Sequence, residues 1–182
     1  MSLSDKAGFR LRSFPVLAGV LLLTALGGCQ VRPLYSDGPT GSTATALASI
    51  EISEAENRVE QEVRNALIFL TSGGKSEPVN PQYHLALNVS HRTMGVLYDH
   101  TDDDDDDDDD PGAGRVVVKA DYNLTKAATG ETVKAGYRTA VALVDFPQQE
   151  FAKVRAIRDG ENRAAKELAE IISADIAAAL GR

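Results

Sequence analysis

The sequence predicts an α+β fold, a two-layer sandwich in which two helices cover one face of a four-stranded mixed sheet in the order β-α-β-β-β-α. Apolar and polar residues alternate along three segments between residues 83 and 143, which is typical of half-buried strands. Two other segments carry apolar residues at helical spacing. Because each helix has one apolar stripe, both can pack on a single face of the sheet.

The first 28 residues have the pattern of an export signal that is removed from the mature protein. Lys6, Arg10 and Arg12 precede an uncharged stretch at 14–26. A helix of that length is too short for a hydrocarbon core of ~30 Å, whereas the length is usual for the apolar part of a signal peptide. A buried core helix is the alternative, and the absence of a polar side on this stretch disfavours it.

The segment after the apolar stretch resembles a bacterial lipobox. Leu26-Gly27-Gly28-Cys29 places an aliphatic and two small residues before the only cysteine of the chain. In such signals the thiol receives diacylglycerol and the exposed amine receives a further acyl chain, and several chains at ~0.8 kcal/mol per buried CH₂ anchor a protein in a membrane. We therefore expect lipidation of Cys29. Gln30, rather than Asp, follows it, which by resemblance to enterobacterial sorting favours the outer membrane.

The net charge of −8 combines unlike segments. Removal of residues 1–28 would leave 16 basic and 26 acidic residues, a net charge of −10, and nine of those acids form the run Asp102–Asp110. Without that run the net charge of the mature chain would be −1. The body is thus nearly neutral, and no basic surplus is present to bind nucleic acid.

Residues 29–45 are predicted to be a flexible tether, because they are rich in Ser, Thr, Gly and Pro. The folded domain is expected at 46–182, with a first strand over 46–52. Ser53 and Glu56 match a capping box that would start the first helix, and Gly73-Gly74 would end it. The apolar stripe of this helix comprises Val59, Val63, Ala66, Leu67 and Leu70.

Three alternating segments predict the remaining strands, at 83–89 with an extension toward 98, at 116–124 and at 133–143. A turn containing Gly130 links the last two, which favours an antiparallel hairpin. From about residue 148 the pattern becomes helical, with an interruption expected near Asp159-Gly160. The apolar stripe of this last helix comprises Ala165, Leu168, Ile172, Ile176 and Ala179.

The run Asp102–Asp110 predicts a disordered acidic loop over 99–114, because nine adjacent like charges repel one another. Two alternatives are a weak divalent-cation site, since carboxylates are ligands for Ca²⁺ and Mg²⁺, and a structured helix. The run does not match an EF-hand, because Pro111 and Val117 stand where that loop needs Gly and Glu.

Motifs for chemistry are largely missing, and the sequence predicts no enzyme, no cofactor and no metal site. Gly74-Lys75-Ser76 resembles the end of a P-loop, but Phe69 replaces the required first glycine. His84 and His91 are an odd number of residues apart, so one regular strand would direct them to opposite faces. With His100, they are interpreted as surface or hydrogen-bonded histidines.

Beyond the lipobox, the chain resembles the lipopolysaccharide-assembly lipoprotein LptE family, in its alphaproteobacterial form. The resemblance rests on Arg32-Pro33-Leu34-Tyr35, on the order of helices and strands, and on the segment 158–169, where an Ala-rich run follows Arg158-Asp159-Gly160-Glu161-Asn162-Arg163. It covers essentially the whole mature chain.

The resemblance implies a lipid-anchored outer-membrane protein that is plug and assembly partner of the LptD barrel and helps deliver lipopolysaccharide to the outer leaflet. It also implies basic lipopolysaccharide contacts at one end of the sheet, for which Arg92 and Arg115 are the candidates, with ordinary surface arginines as the alternative. The negatively charged Asp run would repel anionic lipopolysaccharide unless divalent cations bridge the aspartates and the lipid. A polar outer surface suited to a barrel lumen would come from Lys119, Asp121, Asn123, Lys134 and Arg138.

Two other functions compete with this one. A lipoprotein subunit of an envelope ABC-type lipid transporter can combine a strand and helix sandwich with a lipid tether. An envelope hydrolase is the third hypothesis, and it would require a catalytic cluster that only the fold could assemble.

Overall fold

The computed structural model describes residues 41–98 and 111–181, which form a four-stranded sheet and three helices. In chain order the elements are α1 (Ser42–Leu47), β1 (Ile50–Ile52), α2 (Arg58–Ser72), β2 (Tyr83–Tyr98), β3 (Pro111–Lys126), β4 (Thr132–Asp145) and α3 (Glu150–Leu180). The strands lie in the order β1-β2-β3-β4, with β1 parallel to β2 and the other neighbours antiparallel. The predicted α+β fold with a mixed four-stranded sheet is confirmed.

The sheet and its longest helix have matching lengths. Strands β2 and β3 contain 16 residues each and β4 contains 14, so they extend for ~45–55 Å at ~3.4 Å per residue. Helix α3 has 31 residues and is therefore ~46 Å long. One helix thus covers the sheet from end to end, and α2 packs beside it on the same face.

The core lies between this helical layer and one face of the sheet. Alternate residues of β3, from Val116 to Leu124, face the helices as the alternation predicted. Helix α3 contributes Leu168, Ile172 and Ile176, all fully buried. The buried apolar side chains of β1, α2 and β2 are Ile50, Ile52, Val59, Val63, Leu67, Leu85 and Val89. The core is mainly aliphatic, which agrees with the low aromatic content of the sequence.

The predicted tether and first strand both need correction at residues 42–49. Ser42–Leu47 forms α1, and only Ile50–Ile52 is a strand. The buried residues Leu47, Ile50 and Ile52 are three and then two positions apart. A single strand cannot bury all three, because its side chains alternate between faces, whereas a helical turn followed by a strand can.

The start of α2 also differs from the prediction. The N-cap is Asn57, whose side chain accepts a hydrogen bond from the Glu60 N–H, and Glu60 Oε2 accepts from the Glu56 N–H at 2.9 Å. Ser53 is engaged in the sheet instead, where its hydroxyl accepts from the Leu87 N–H at 3.0 Å. A cap with the same spacing therefore exists four residues further along the chain than predicted, but Glu60 accepts from the residue before the N-cap rather than from the N-cap itself.

The predicted end of α2 is confirmed. Gly73 has a φ of 64°, in the left-handed region that glycine adopts without steric cost, and the Gly74 N–H donates to the Phe69 carbonyl at 3.1 Å. This bond satisfies one of the carbonyls that the end of the helix would otherwise leave unpaired.

The predicted interruption of the last helix near Asp159-Gly160 is wrong, because α3 is continuous. Gly160 is buried against the sheet, and a Cβ on it would lie 2.5 Å from Val144 Cγ2 and 3.1 Å from Val116 Cγ2. The glycine is there because the helix backbone approaches β3 and β4 too closely for a side chain. It therefore marks a helix–sheet contact rather than a break.

The acidic loop was predicted over 99–114, but at its C-terminal side the strand already begins at Pro111. Residues 111–114 belong to β3, and Gly114 pairs with Gly95 of β2. A Cβ on Gly114 would overlap the Phe146 ring and would lie 2.8 Å from the Met94 carbonyl, so the Phe146 ring packs directly on the strand backbone. The Asp run itself lies outside the described residues.

The predicted outward position of Lys134 and Arg138 implied that Tyr137, Val141 and Leu143, on the alternate positions, would face the helices. The orientation of β4 is the reverse. Tyr137, Val141 and Leu143 are 63%, 47% and 70% exposed, whereas Ala140, Ala142 and Val144 are buried under α3. Both faces of this strand are apolar, so its pattern alone does not fix which side faces the helices. The small residues face the helix because α3 comes close at Gly160.

A polar triad connects the middle of β4 and β3 with α3. The Tyr122 hydroxyl donates to Asp175 Oδ2 at 2.6 Å, and Arg138 forms an ion pair with the same carboxylate. Arg138 thus points toward α3 and not to the outer surface for which it was predicted. Burial, followed by the hydrogen bond to Asp175 and its negative charge, raises the pKa of Tyr122 from 10.0 to about 12.

Replacing Tyr122 should therefore change stability in alkaline solution. Because the folded-state pKa is raised, the stabilising effect is present below pH 10 and is lost as the pH rises from 10 through about 12. Tyr122→Phe should cost about 1 kcal/mol at neutral pH by removing one hydrogen bond. Urea unfolding at several pH values should then give a shallower loss of stability above pH 10 for the variant than for the parent protein. An equal pH dependence of the free energy of unfolding in the two proteins would contradict the raised pKa of Tyr122.

Candidate functional site

The sheet face opposite the helices is the candidate functional surface, and we refer to it as the open face. No described helix packs on it, since α2 and α3 both cover the other side. Side chains reach it from alternate positions of each strand, so Glu51 of β1, His84 of β2 and Lys119 of β3 all lie on it.

The strand register arranges the central part of the open face in three rows. Across β2, β3 and β4 the rows are Ser90-Lys119-Thr139, Arg92-Val117-Val141 and Met94-Arg115-Leu143. Directly opposed residues in antiparallel strands have Cβ atoms ~4.5–5.5 Å apart, so these nine side chains form one continuous surface.

The candidate residues Arg92 and Arg115 lie together on this surface. Arg115 is opposite Met94, two positions along β2 from Arg92, which makes the two arginines diagonal neighbours at a typical separation of ~7–8 Å. Both are exposed, and within the described part of the chain neither forms a hydrogen bond or an ion pair. The structure therefore brings together two guanidinium groups from different strands.

Two acidic side chains modify the charge around the arginines. Lys119 forms an ion pair with Asp121 at 3.1 Å and lies 5.1 Å from the centre of the Tyr137 ring, so its charge is already engaged. Asp145 lies one row beyond Arg115, opposite Ala113. The positive character of the open face is therefore concentrated at Arg92 and Arg115.

Apolar side chains flank the arginines on the β4 side. Val141 and Leu143 are largely exposed. A shallow depression of about 380 Å³ lies beside them, lined on the open face by Ser90, Arg92, Val117, Lys119 and Thr139. Guanidinium groups bind phosphate and carboxylate with paired hydrogen bonds, and the adjacent apolar surface suits hydrocarbon. The arrangement is thus suited to an amphiphile with an anionic head.

The two histidines in the described residues point to opposite faces, as predicted. His84 Nδ1 lies 2.8 Å from Glu51 Oε2 on the open face, whereas His91 Nε2 lies 3.6 Å from Glu161 Oε1 on the helical side. No group of three or more potential metal ligands occurs among the described residues. His100 lies outside the described residues.

A second polar cluster lies on the helical side, and sequence reasoning missed it. Glu161 is buried on α3, and its carboxylate forms an ion pair with Arg58 of α2. Arg58 Nη1 also donates to Asn162 Oδ1 at 2.8 Å. Arg58 and Glu161 are 103 residues apart, so no local motif could have indicated this contact. It connects the two helices and has no access to the open face.

Several sequence predictions fall outside the described residues. These are the signal peptide at 1–28, the lipidation site Cys29 and the greater part of the acidic loop. No helix in the described part of the chain is long and apolar enough to cross a membrane. The polar residues Lys119, Asp121 and Asn123 do lie on the open face as predicted, whereas Lys134 shares the helical side with Arg138.

Comparison with solved structures places this fold beside that of a candidate lipoprotein from Caulobacter crescentus. The two chains are 24% identical, with a TM-score of 0.63 over 76% of this chain and 96% of the other. A minor lipoprotein from Acinetobacter baumannii is 12% identical with a TM-score of 0.49, over 71% of this chain and 88% of that one. Rare lipoprotein B from Shewanella oneidensis is 13% identical with a TM-score of 0.47, over 71% of this chain and 92% of that one.

This chain and the Caulobacter protein share a fold. No family model and no curated protein matches the sequence. The four-stranded sheet with a helical layer on one face is thus an architecture that this chain shares with the Caulobacter protein.

Proposed function

We propose that this protein is a non-enzymatic, lipid-anchored subunit of the outer membrane, which partners an LptD-type barrel and contacts lipopolysaccharide through the open face. The observation that carries the proposal is the juxtaposition of Arg92 and Arg115 with the exposed apolar side chains Val141 and Leu143. Lipopolysaccharide presents phosphate groups beside acyl chains, and this surface offers a complement to both.

Other features support an envelope location and a binding role. The lipobox that ends at Cys29 supplies an anchor, and the fold resembles that of a candidate lipoprotein. The most buried polar clusters of the described residues, Tyr122–Asp175 and Arg58–Glu161, are structural pairs. A binding subunit needs neither a cofactor nor a metal.

The barrel contact is proposed for the part of the open face away from the arginines. There Asp121, Asn123 and Thr125 form a polar strip along β3, and His84 with Glu51 extends it to β1. A polar lumen wall could form hydrogen bonds with such a strip. The two ends of one face would then serve two partners, with the protein strip at one end and the lipid patch at the other.

Reversing the charge of the arginine pair should reduce lipopolysaccharide contact and leave the fold intact. In Arg92→Glu/Arg115→Glu, photo-crosslinking from Val141 to lipopolysaccharide in cells should fall at least tenfold, because two attractive charges become repulsive. Arg155→Glu/Arg158→Glu is the matched control, since both residues are exposed on α3 and leave the open face unchanged. Undiminished crosslinking in the charge-reversed protein would refute lipid contact at this patch.

The barrel partnership has its own test. Tagged protein purified from detergent-solubilised outer membranes should retain a barrel protein, and deletion of the gene should leave that barrel misassembled. Normal barrel assembly in the deletion strain would contradict the proposal. Recovery of an inner-membrane transporter in place of a barrel would favour the alternative function, a lipoprotein subunit of an ABC-type lipid transporter.

A further inference from the structure

The outer edge of β4 exposes a row of backbone hydrogen-bonding groups. Just after β4, the Phe146 N–H donates to the Gly112 carbonyl at 2.9 Å, and the register is regular from Asp145 back to Lys134. Even-numbered residues therefore point their N–H and C=O groups toward β3, and odd-numbered residues point theirs away from the sheet. The carbonyls of Tyr137 and Leu143 agree with this, because side chains reach them from outside the ladder.

Two arginines occupy part of this edge and leave its centre open. Arg138 Nη1 donates to the Tyr137 carbonyl at 2.8 Å, and Arg163 Nη2 donates to the Leu143 carbonyl at 2.9 Å. Between them, the outward N–H and C=O groups of Thr139 and Val141 form no hydrogen bond with another described residue. The centre of β4 thus offers two donors and two acceptors in the spacing of a strand.

The opposite edge of the sheet is protected, which makes the open edge of β4 distinctive. Strand β1 has only three residues. Its Ile52 N–H donates to Glu77 Oε1 at 3.0 Å, and the following Ser53 carbonyl accepts from Arg64 Nε at 2.9 Å. Proteins commonly block edges in this manner, because an unpaired strand is a template for another chain. A long edge with an unblocked centre is therefore suited to pairing.

We propose that the edge of β4 pairs antiparallel with β4 of a second copy of this chain, about a two-fold axis at Ala140. This inference goes beyond the proposed function, because it concerns the backbone edge of β4 and a second copy of the chain. The side chains of Val141 and Leu143 belong to both surfaces, so the dimer would compete with the lipid contact there. Pairing Thr139 with Val141 of the second copy, and the reverse, forms four inter-chain hydrogen bonds. Pairing of Tyr137 with Leu143 beyond them requires Arg138 and Arg163 to leave the two carbonyls that they cap. An isologous contact of this kind closes as a dimer.

The side chains of β4 complement one another in this register. Tyr137 falls opposite Leu143 of the second copy, which produces two aromatic–aliphatic pairs on the open face. On the other face, Arg138 falls opposite Ala142, so the two copies of Arg138 do not meet each other. An axis at residue 138 would instead place Arg138 opposite its own copy. The side chains of β4 thus favour the register with its axis at Ala140 over the register with its axis at Arg138.

A photo-crosslinking experiment in cells tests the pairing with the full chain. A benzoylphenylalanine probe replaces Tyr137, and two copies of the chain carry different tags. We expect a crosslinked species that contains both tags, with the crosslink mapped by mass spectrometry to residues 141–145 of the second copy. The same probe at His84, on the opposite side of the open face, should give only background.

A matched pair of substitutions separates backbone pairing from side-chain contact. Thr139→Pro removes an outward N–H without touching the ladder to β3 and should lower the yield of the two-tag species at least fivefold. Thr139→Val keeps the N–H and should leave the yield unchanged. Crosslinks to other proteins only, a crosslink outside β4, or equal yields for the two variants at equal protein level would each overturn the proposal. If the proline variant does not accumulate, the mapped crosslink position in the unsubstituted chain decides.

Discussion

Gly160→Ala is expected to lower the free energy of unfolding by about 1–3 kcal/mol, the usual cost of overpacking a core. On an exposed helix the same change would stabilise by about 1 kcal/mol, because Ala is the better helix former. Here the new Cβ would lie 2.5 Å from Val144 Cγ2 and 3.1 Å from Val116 Cγ2, so α3 would have to move away from the sheet. We expect the steric term to exceed the gain in propensity, and urea denaturation would measure the difference.

A second substitution identifies the cause. Val144→Ala removes the methyl groups nearest the new Cβ, so Gly160→Ala should cost less in that background than in the parent. Contacting residues typically show coupling energies of 0.5–3 kcal/mol in such a double-mutant cycle. A stabilising effect of Gly160→Ala in the parent protein, or additive effects in the double variant, would show that the close approach at Gly160 does not limit packing.

The elements that the sequence predicted correctly have one strongly patterned face. Leu85 and Val89 of β2, and Val116 to Leu124 of β3, alternate with polar residues, so a single assignment of faces buries the apolar set. Strand β4 lacks this contrast between 140 and 144, where both faces are apolar. Its orientation depends on the missing side chain of Gly160, some 20 residues away, which only the packed structure reveals.

The candidate site was partly predictable for a similar reason. Arg92 and Arg115 could be named because they flank the acidic loop between two predicted strands. That these strands, β2 and β3, are neighbours came from the structure. Their role as lipid contacts stays a prediction. The exposed Val141 and Leu143 beside them were missed, since apolar residues at alternating positions ordinarily indicate a buried face. The link between Arg58 and Glu161 crosses 103 residues of sequence and joins two helices, so it has no local signature.

Arg58→Met should destabilise the protein by about 2 kcal/mol, because it leaves the buried Glu161 carboxylate without its cation. Removing one partner of a fully buried pair typically costs 3–5 kcal/mol, and we expect less here because the Arg58 side chain is 45% exposed, against 11% for Glu161. Methionine retains the apolar stem of the arginine, so the loss reports mainly on charge. His91 Nε2, at 3.6 Å from Glu161, offers only a weak substitute.

Adding Glu161→Gln to Arg58→Met should restore most of that stability, because the double variant no longer buries an unpaired charge. Asp159→Asn is the control on the same helix: it removes the ion pair with Arg163, whose partners are both more than half exposed, and should change stability by no more than about 0.5 kcal/mol. Should Arg58→Met alone prove as mild as the control, the pair would serve only to set the angle between α2 and α3. Recovery in the double variant would instead mean that the cost lies in the buried charge, so that a well-packed apolar pair could replace Arg58 and Glu161 without loss of stability.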